Sequence, residues 1–189
     1  MIKRYEKNPN TAERLDDFYR GYPIEKERFN DWMIPMLEPL IPKNGGILEV
    51  GCGYGKTLNW IKKLGKNNTL VGVDISKVAI DGGKEHYDGL MLICKDFTND
   101  EELGKYDLII NSQTLEHVDD PEKMILKMKD SLNPKGVIFI TVPYPKSNLD
   151  RGVKLHHWTF YPQDFIKILG KNCLMSREGN HLIVIYEAN

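Results

Sequence analysis

An acid, three glycines at alternate positions and a basic-hydroxyl pair fall close together in the stretch Glu49-Val50-Gly51-Cys52-Gly53-Tyr54-Gly55-Lys56-Thr57. Glycine there lets the backbone turn sharply and lets a ligand come near main-chain atoms that a Cβ would shield. A helix beginning just beyond it would add free N–H groups. Three binding chemistries compete for such a loop. A phosphate-binding loop of the form G-x-x-x-x-G-K-[ST] matches at Gly55-Lys56-Thr57, but its first glycine would fall on Val50. A dinucleotide loop G-x-G-x-x-G matches Gly51 and Gly53 and then requires glycine where Lys56 stands, so a nicotinamide cofactor requires a loop that tolerates that lysine. The pattern E-x-G-x-G-x-G fits throughout. Its acid, Glu49, suits a ligand bearing an ammonium group and is poorly placed for a pyrophosphate. The remaining reading is a turn that serves only to reverse the chain.

Further groups with chemical potential lie downstream. Asp74 ends an apolar run, and 74 − 51 = 23 residues past the first glycine is close to the interval at which an acid meets a ribose. A carboxylate can accept both ribose hydroxyls. Asp96-Phe97 follows another apolar run and offers a carboxylate for an adenine amino group and a ring beside the base. His117, His156 and His157 are candidate general bases, since imidazole titrates in the useful range. Each is also open to a structural role. Neither the histidines nor Cys52, Cys94 and Cys173 show metal-ligand spacing, so no metal is expected.

The elements that must position these groups follow from pattern. Short apolar runs alternating with helical periods from Ile47 onward predict βαβ units around a parallel sheet. The runs are Ile47–Val50, Thr69–Val73, Leu90–Cys94, Tyr106–Asn111, Val137–Val142, and a final pair around Leu174–Arg177 and His181–Glu187 joined by Glu178-Gly179-Asn180. Ser76 and Asp120 are expected helix caps, the latter with Pro121 behind it. Gly82-Gly83 weakens the helix it sits in, and Asn133-Pro134-Lys135-Gly136 reads as a turn. Ahead of the sheet, Leu15, Phe18, Tyr19 and Tyr22 share a helical face, and Phe29, Trp32, Met33, Met36, Leu37 and Leu40 continue such a period, divided by Pro35, Pro39 and Pro42. In an open sheet of this kind ligands bind beyond the carboxyl ends of the strands, which is where the glycines, Asp74, Asp96 and His117 fall.

The chain has 189 residues, which suits one domain, with 26 basic against 27 acidic side chains. Nothing in that balance points to a nucleic-acid groove or a membrane surface. Apolar runs are of strand length, no signal-peptide core opens the sequence, and three scattered cysteines fit a reducing compartment, so a cytoplasmic protein is expected.

The loop at Glu49–Gly55 resembles motif I of the class I S-adenosylmethionine-dependent methyltransferases. Tyr106-Asp107-Leu108-Ile109-Ile110 with Leu115-Glu116-His117-Val118 is similar to their fourth-strand motif, particularly in the group that includes ubiquinone-biosynthesis O-methyltransferases and many antibiotic- and sugar-modifying enzymes. Leu132–Val137 and His156-His157-Trp158-Thr159-Phe160 resemble later blocks of the same group. The resemblance spans residues 45 to about 170. It implies a Rossmann-like three-layer α/β/α sandwich with a seven-stranded, mostly parallel sheet and an antiparallel C-terminal hairpin strand. It implies S-adenosylmethionine as cofactor, held by Glu49, Gly51, Cys52, Gly53, Asp74, Ile75, Asp96, Phe97 and the Ser112-Gln113 main chain. Residues 1–45 would pack on the core and flank the site, with residues 46–189 forming the cofactor-binding domain. Tyr19, Arg20 and Tyr22, with Tyr144 after the fifth strand, become candidates for the substrate wall.

The acceptor expected is a small molecule methylated on oxygen or nitrogen, and the protein a monomer or homodimer. A protein or RNA methyltransferase, or a cofactor-binding regulator without activity, are the alternatives. Against RNA, no basic stripe with interleaved aromatics appears, and Val142-Pro143-Tyr144-Pro145 is only a distant echo of N/D-P-P-Y/F. One departure is the short stretch of 160 − 143 + 1 = 18 residues from Pro143 to Phe160, which implies an open, shallow site or one completed by a partner.

Overall fold

The computed structural model describes residues 1–4, 8, 10–26, 30–101, 103–147 and 156–189. Its centre is the apolar run after Gly45, which cannot be left in water and forms strand β2 (Gly46–Val50), following a two-residue β1 (Ile2–Lys3). Beside β2 lie β3 (Thr69–Asp74), then β4 (Met91–Cys94); on its other side lie β5 (Tyr106–Ser112) and β6 (Leu132–Pro143). These five are parallel. A short β7 (Trp158–Thr159) pairs with β1 outside this sheet. The hairpin of β8 (Cys173–Glu178) and β9 (His181–Glu187) completes the sheet in the order β4-β3-β2-β5-β6-β9-β8, with β9 antiparallel to both neighbours. Seven strands with one antiparallel insertion are what the sequence pattern and the resemblance imply.

Strand side chains alternate between two cores, as a period of two requires. Leu48, Ile109, Ile138 and Ile140 pack with Met124, Ile125 and Met128 of helix α5 (Pro121–Asp130) and Phe165 of α6 (Pro162–Leu169). Ile47, Leu108, Ile110 and Phe139 face the other way, onto Leu58 and Ile61 of α3 (Lys56–Lys63) and Ile80 of α4 (Lys77–His86). Met33 and Leu37 join this second core with no exposed surface. The result is three layers.

Two sequence expectations need amending. Asn133–Gly136 is not a turn that precedes the strand: β6 runs through it, with Lys135 at φ 62° and the pairing jumping from Tyr106↔Leu132 to Leu108↔Val137. The polar residues form an irregularity inside one strand, and Asn133 Nδ2 donates to Asp107 Oδ1 at 2.8 Å. Nor does Gly82-Gly83 merely weaken α4. A Cβ on Gly83 would lie 2.3 Å from the Tyr54 carbonyl oxygen, so the absence of a side chain lets α4 press against the glycine loop.

The prolines divide the second N-terminal segment as expected, into 3-10 turns at Asp31–Met33 and Glu38–Leu40 around α2 (Ile34–Leu37). Phe29 lies outside the described residues. Helix α1 (Ala12–Gly21) is capped by Thr11, whose Oγ1 accepts from Arg14 N, and buries no residue fully. It is fastened by polar ties instead. Asp16 Oδ1 accepts from Ser76 Oγ at 2.6 Å and Val78 N at 3.0 Å. Burial alone would raise the Asp16 carboxyl, but the Ser76 hydroxyl and Val78 amide outweigh it and hold the group below its usual value. Tyr54 Oη donates within reach of the carbonyls of Tyr19 and Tyr22, both at 3.1 Å.

Gly83→Ala should therefore cost about 1–3 kcal/mol, the scale of overpacking, while Gly21→Ala, with nothing within 4 Å of the added Cβ, should be neutral or mildly stabilising. Urea unfolding of both variants checks this; equal stability of the Gly83 variant and the parent would contradict the close approach.

Candidate active site

Strand order reverses between β2 and β5: from β2 the chain proceeds to β3 and β4, then returns to build on the other flank. A crevice opens where the two diverge. Asn111, fully buried at the end of β5, bridges the start of that divergence by donating Nδ2 to the Val50 carbonyl at 3.0 Å. The glycine loop turns in the crevice with Gly51, Gly53 and Gly55 at φ 74°, 53° and 86°. Thr114 comes so near that a Cβ on Gly51 would sit 2.2 Å from its Oγ1. The amides of Gly51 and Cys52 donate to the Val73 carbonyl at 2.8 and 3.0 Å, and the Gly53 amide donates to Asp74 Oδ2 at 2.9 Å. Loop and strand end are thereby one rigid unit.

Asp74 is the hub of that unit, because its Oδ1 also accepts from Ser76 N at 2.9 Å. Burial pushes its carboxyl up from the ordinary value, opposed by the Ser76 and Gly53 amides. Each oxygen has a second lone pair for a ligand hydroxyl. The cavity beside it is about 210 Å³. Of the residues picked from sequence, Gly51, Asp74, Ile75, Asp96, Phe97 and His117 line it. Phe97 is buried and presents an apolar surface there. The Asp96 carboxylate turns back on its own loop, accepting from Thr98 N at 2.9 Å and Asn99 Nδ2 at 2.8 Å.

The other candidates stand behind or away from the cavity wall. Glu49 is buried in β2, and Cys52 packs within the loop. Ser112 and Gln113 form a polar cluster over β6: Ser112 Oγ and Thr141 Oγ1 share a hydrogen bond of 2.9 Å, and Gln113, at φ 53°, donates Nε2 to Thr141 Oγ1 at 3.2 Å. Tyr19 and Tyr22 secure α1 to Tyr54, with the Tyr19 and Tyr54 rings edge-on at 5.1 Å; the Arg20 guanidinium pairs with Asp17 on the surface. The Tyr144 ring lies under Arg177 at 4.2 Å, at the far end of β6.

Among the three histidines, His117 lines the cavity, half-buried at the end of the 3-10 turn Leu115–His117. His156 is buried directly behind it, the two rings 5.1 Å apart. His157 has no exposure and packs edge-on to Trp158, and burial, with Lys3 nearby, holds its pKa below the ordinary value. Sequence reasoning missed Asn8, Asn10 and Leu15, which form the cavity's N-terminal side, and Thr114, Asp119 and Lys123 on the side beyond β5. Asn8 and Asn10 belong to no motif in the sequence; Asn10 Nδ2 donates to Asn8 Oδ1 at 3.0 Å, and both Nδ2 groups make a long-range donation to the His117 carbonyl, at 2.8 and 3.1 Å.

Comparison with known proteins agrees with this geometry. Residues 24–178 match the family described as methyltransferase domain. The chain is 30% identical over 131 residues to a ubiquinone biosynthesis O-methyltransferase of Coxiella burnetii, covering 66% of this chain and 52% of that one. It thus spans about half the length of these curated relatives. A malonyl-[acyl-carrier protein] O-methyltransferase of Calditerrivibrio nitroreducens is 29% identical over 173 residues, 86% of this chain and 65% of that one. Among solved structures, the magnesium protoporphyrin IX methyltransferase of Synechocystis, with bound S-adenosylmethionine, superposes with TM-score 0.67 at 15% identity, covering 97% of this chain and 100% of that one. Among the described residues no helix is long and apolar enough to cross a membrane.

His181, stacked on Trp32 with ring centroids 3.9 Å apart, shares the depressed pKa of His157, and for the same first cause, burial. The unfolded chain takes up these protons as pH falls through about 6.5, while the folded chain resists, so stability is full above that value and declines below it. The urea midpoint should be lower at about pH 5.5 than at about pH 7.5, and His181→Phe, which keeps the stack, should shrink the difference. A difference unchanged by that substitution would remove His181 from the explanation.

Proposed function

The chain belongs to the class I S-adenosylmethionine-dependent methyltransferases, and we propose that it transfers a methyl group from S-adenosylmethionine to an oxygen or nitrogen of a small-molecule acceptor. The observation that carries this is Asp74, fixed by the Gly53 and Ser76 amides at the mouth of the switch-point crevice. A carboxylate in that setting, with Ile75 and Phe97 beside it, matches the hydroxyls and flat base of an adenosine. When bound, the cofactor supplies a methyl carbon made electrophilic by its positively charged sulfur.

The chain's own residues bind and orient. Asp74 takes the ribose hydroxyls, Ile75 and Phe97 border the base with Asp96 at its polar edge, and the Gly51 and Gly53 backbone runs beside the methionine part. Glu49 acts on the ammonium group through the loop amides, with Cys52 packing the loop from behind and the Ser112-Gln113 main chain near the same tail. Holding an acceptor lone pair in line with the methyl group is then the main task, and proximity can remove much of the barrier. His117 is the histidine that reaches the cavity, so the acceptor is placed on its side, with His156 and His157 supporting it from behind. Residues 1–45 form the flanking segment, in which Tyr19 and Tyr22 anchor α1 while Leu15, Asn8 and Asn10 supply the wall; Tyr144 marks the outer rim. Residues 46–189 form the cofactor-binding domain.

A small acceptor is supported by the relatives named for ubiquinone biosynthesis and for malonyl groups on a carrier protein. The protein would act in the cytoplasm as a monomer or homodimer, with neither nucleic acid nor membrane as partner.

Asp74→Ala should weaken S-adenosylhomocysteine binding by about 1.5–3 kcal/mol, the scale of hydrogen bonds to a charged group. His117→Ala should leave that affinity near the parent value and lower methyl transfer to any acceptor found. Calorimetry reads the first, and radiolabelled methyl transfer the second. An Asp74→Ala protein that binds as tightly as the parent would sink the ribose assignment.

A further inference from the structure

Thr98, Asn99, Asp120 and Lys123 line both the cavity and the open depression outside it, so together they form the rim between the two. Asn99 belongs to the loop after β4, and Lys123 is the third residue of α5. Lys123 Nζ spans from one to the other, donating to Asn99 Oδ1 at 2.9 Å. At the other end of the same amide, Asn99 Nδ2 donates to Asp96 Oδ2 at 2.8 Å. One helical turn on, Lys127 Nζ donates to the Asp100 carbonyl and lies over the Phe97 ring, 5.2 Å from its centroid. The loop is thus fastened to α5 at two points. Its own turn is held by the Thr98 and Asn99 amides, which donate to Asp96 Oδ1 at 2.9 and 3.3 Å.

A side-chain amide has two ends of similar shape and opposite hydrogen-bonding character. Here a cation holds the oxygen and an anion holds the nitrogen. Turning the amide over would set Oδ1 against the Asp96 carboxylate and Nδ2 against the Lys123 ammonium, and neither meeting makes a hydrogen bond. The sense of the Asn99 amide is therefore fixed by two opposite charges. After these contacts each end keeps one valence, because Nδ2 carries two hydrogens and Oδ1 two lone pairs.

Resting on the proposed adenosyl cofactor, we infer that Asn99 reads the base at the rim. Its Oδ1 accepts from the exocyclic amino group and its Nδ2 donates to ring N1, while Lys123 and Asp96 are positioning residues that hold the amide in that sense. With the ribose on Asp74, the edge of the purine farthest from the sugar carries both groups. Side-chain amides make the same kind of two-bond contact with adenine in DNA. Asp96 acts on the polar edge through Asn99, which is why its carboxylate turns back on its own loop. The consequence is specificity. A 6-oxo base reverses the pattern, with an acceptor at C6 and a hydrogen on N1. A freely turning amide would take such a base by turning over, and water at an open rim would serve either base. The locked amide meets oxygen with oxygen and N–H with N–H, so the wrong base leaves polar groups unpaired.

The test uses the full chain and two ligands, S-adenosylhomocysteine and its deaminated counterpart S-inosylhomocysteine, each titrated by calorimetry. The parent should prefer the first by at least about 10-fold, within the range of a two-bond base contact. Lys123→Met and Asn99→Ala should each bring that ratio close to one. Lys123→Arg, which keeps the cation, should retain the preference. Lys129→Met, which removes an ammonium that lies over Tyr186 elsewhere on α5, should keep the parent ratio. The ratio is read within each variant, so a general loosening of the loop lowers both affinities and leaves it unmoved. Lys123 is exposed, and Lys123→Met is the variant expected to stay folded if Asn99→Ala does not, with thermal melting monitoring both. A parent that binds S-adenosylhomocysteine without preferring it, or a Lys123→Met protein with the parent ratio, overturns the base reading and leaves the cofactor reading standing. A parent that binds neither ligand overturns the cofactor reading, and the base reading with it.

Discussion

The site depends first on how the chain leaves β2. Three of the five residues from Gly51 to Gly55 hold positive φ, a conformation that costs other residues about 1–2 kcal/mol each. That turn brings the Gly53 amide onto Asp74 and lets Thr114 pass against Gly51. It also places Tyr54 where its hydroxyl meets α1 and its carbonyl meets Gly83. The loop is therefore the joint at which β3, α4, the β5 connection and the N-terminal segment are all referred to one another. A change in its path would move the cavity floor and its N-terminal wall together.

Much of this was legible in the sequence because the signals are local. Leu108–Ile110 is apolar on three successive residues, and Ile47, Leu48 and Val50 break that pattern only at Glu49; such runs suit a strand covered on both faces, and both pack into two cores. The alternate glycines and the acid at the end of the next strand likewise have fixed spacing. Where the reading went astray, distant contacts overrode local preference. Asn133-Pro134-Lys135-Gly136 has turn composition, yet Asp107 and the β5 ladder hold it within β6. Gly82-Gly83 has poor helix propensity, yet Gly83 is needed for the approach of Tyr54.

The histidine side of the cavity was the least legible, for the same reason. His117 follows a strand at the rim and could be picked by position. That His156 stands behind it, and that the His157 amide donates to the Glu116 carbonyl, are long-range contacts with no local signal. Tyr19 and Tyr22 show a similar displacement of role: they hold the wall in place through their carbonyls, and the wall itself comes from Asn8, Asn10 and Leu15.

Titration of the unaltered protein with S-adenosylhomocysteine, NAD and ATP in parallel reaches the central claim most directly. S-adenosylhomocysteine should bind with micromolar affinity or better, about −8 kcal/mol, and the other two should not bind detectably. Binding of NAD or ATP in preference would contradict the assignment of the glycine loop and, with it, every role given to Glu49, Asp74 and the residues around them.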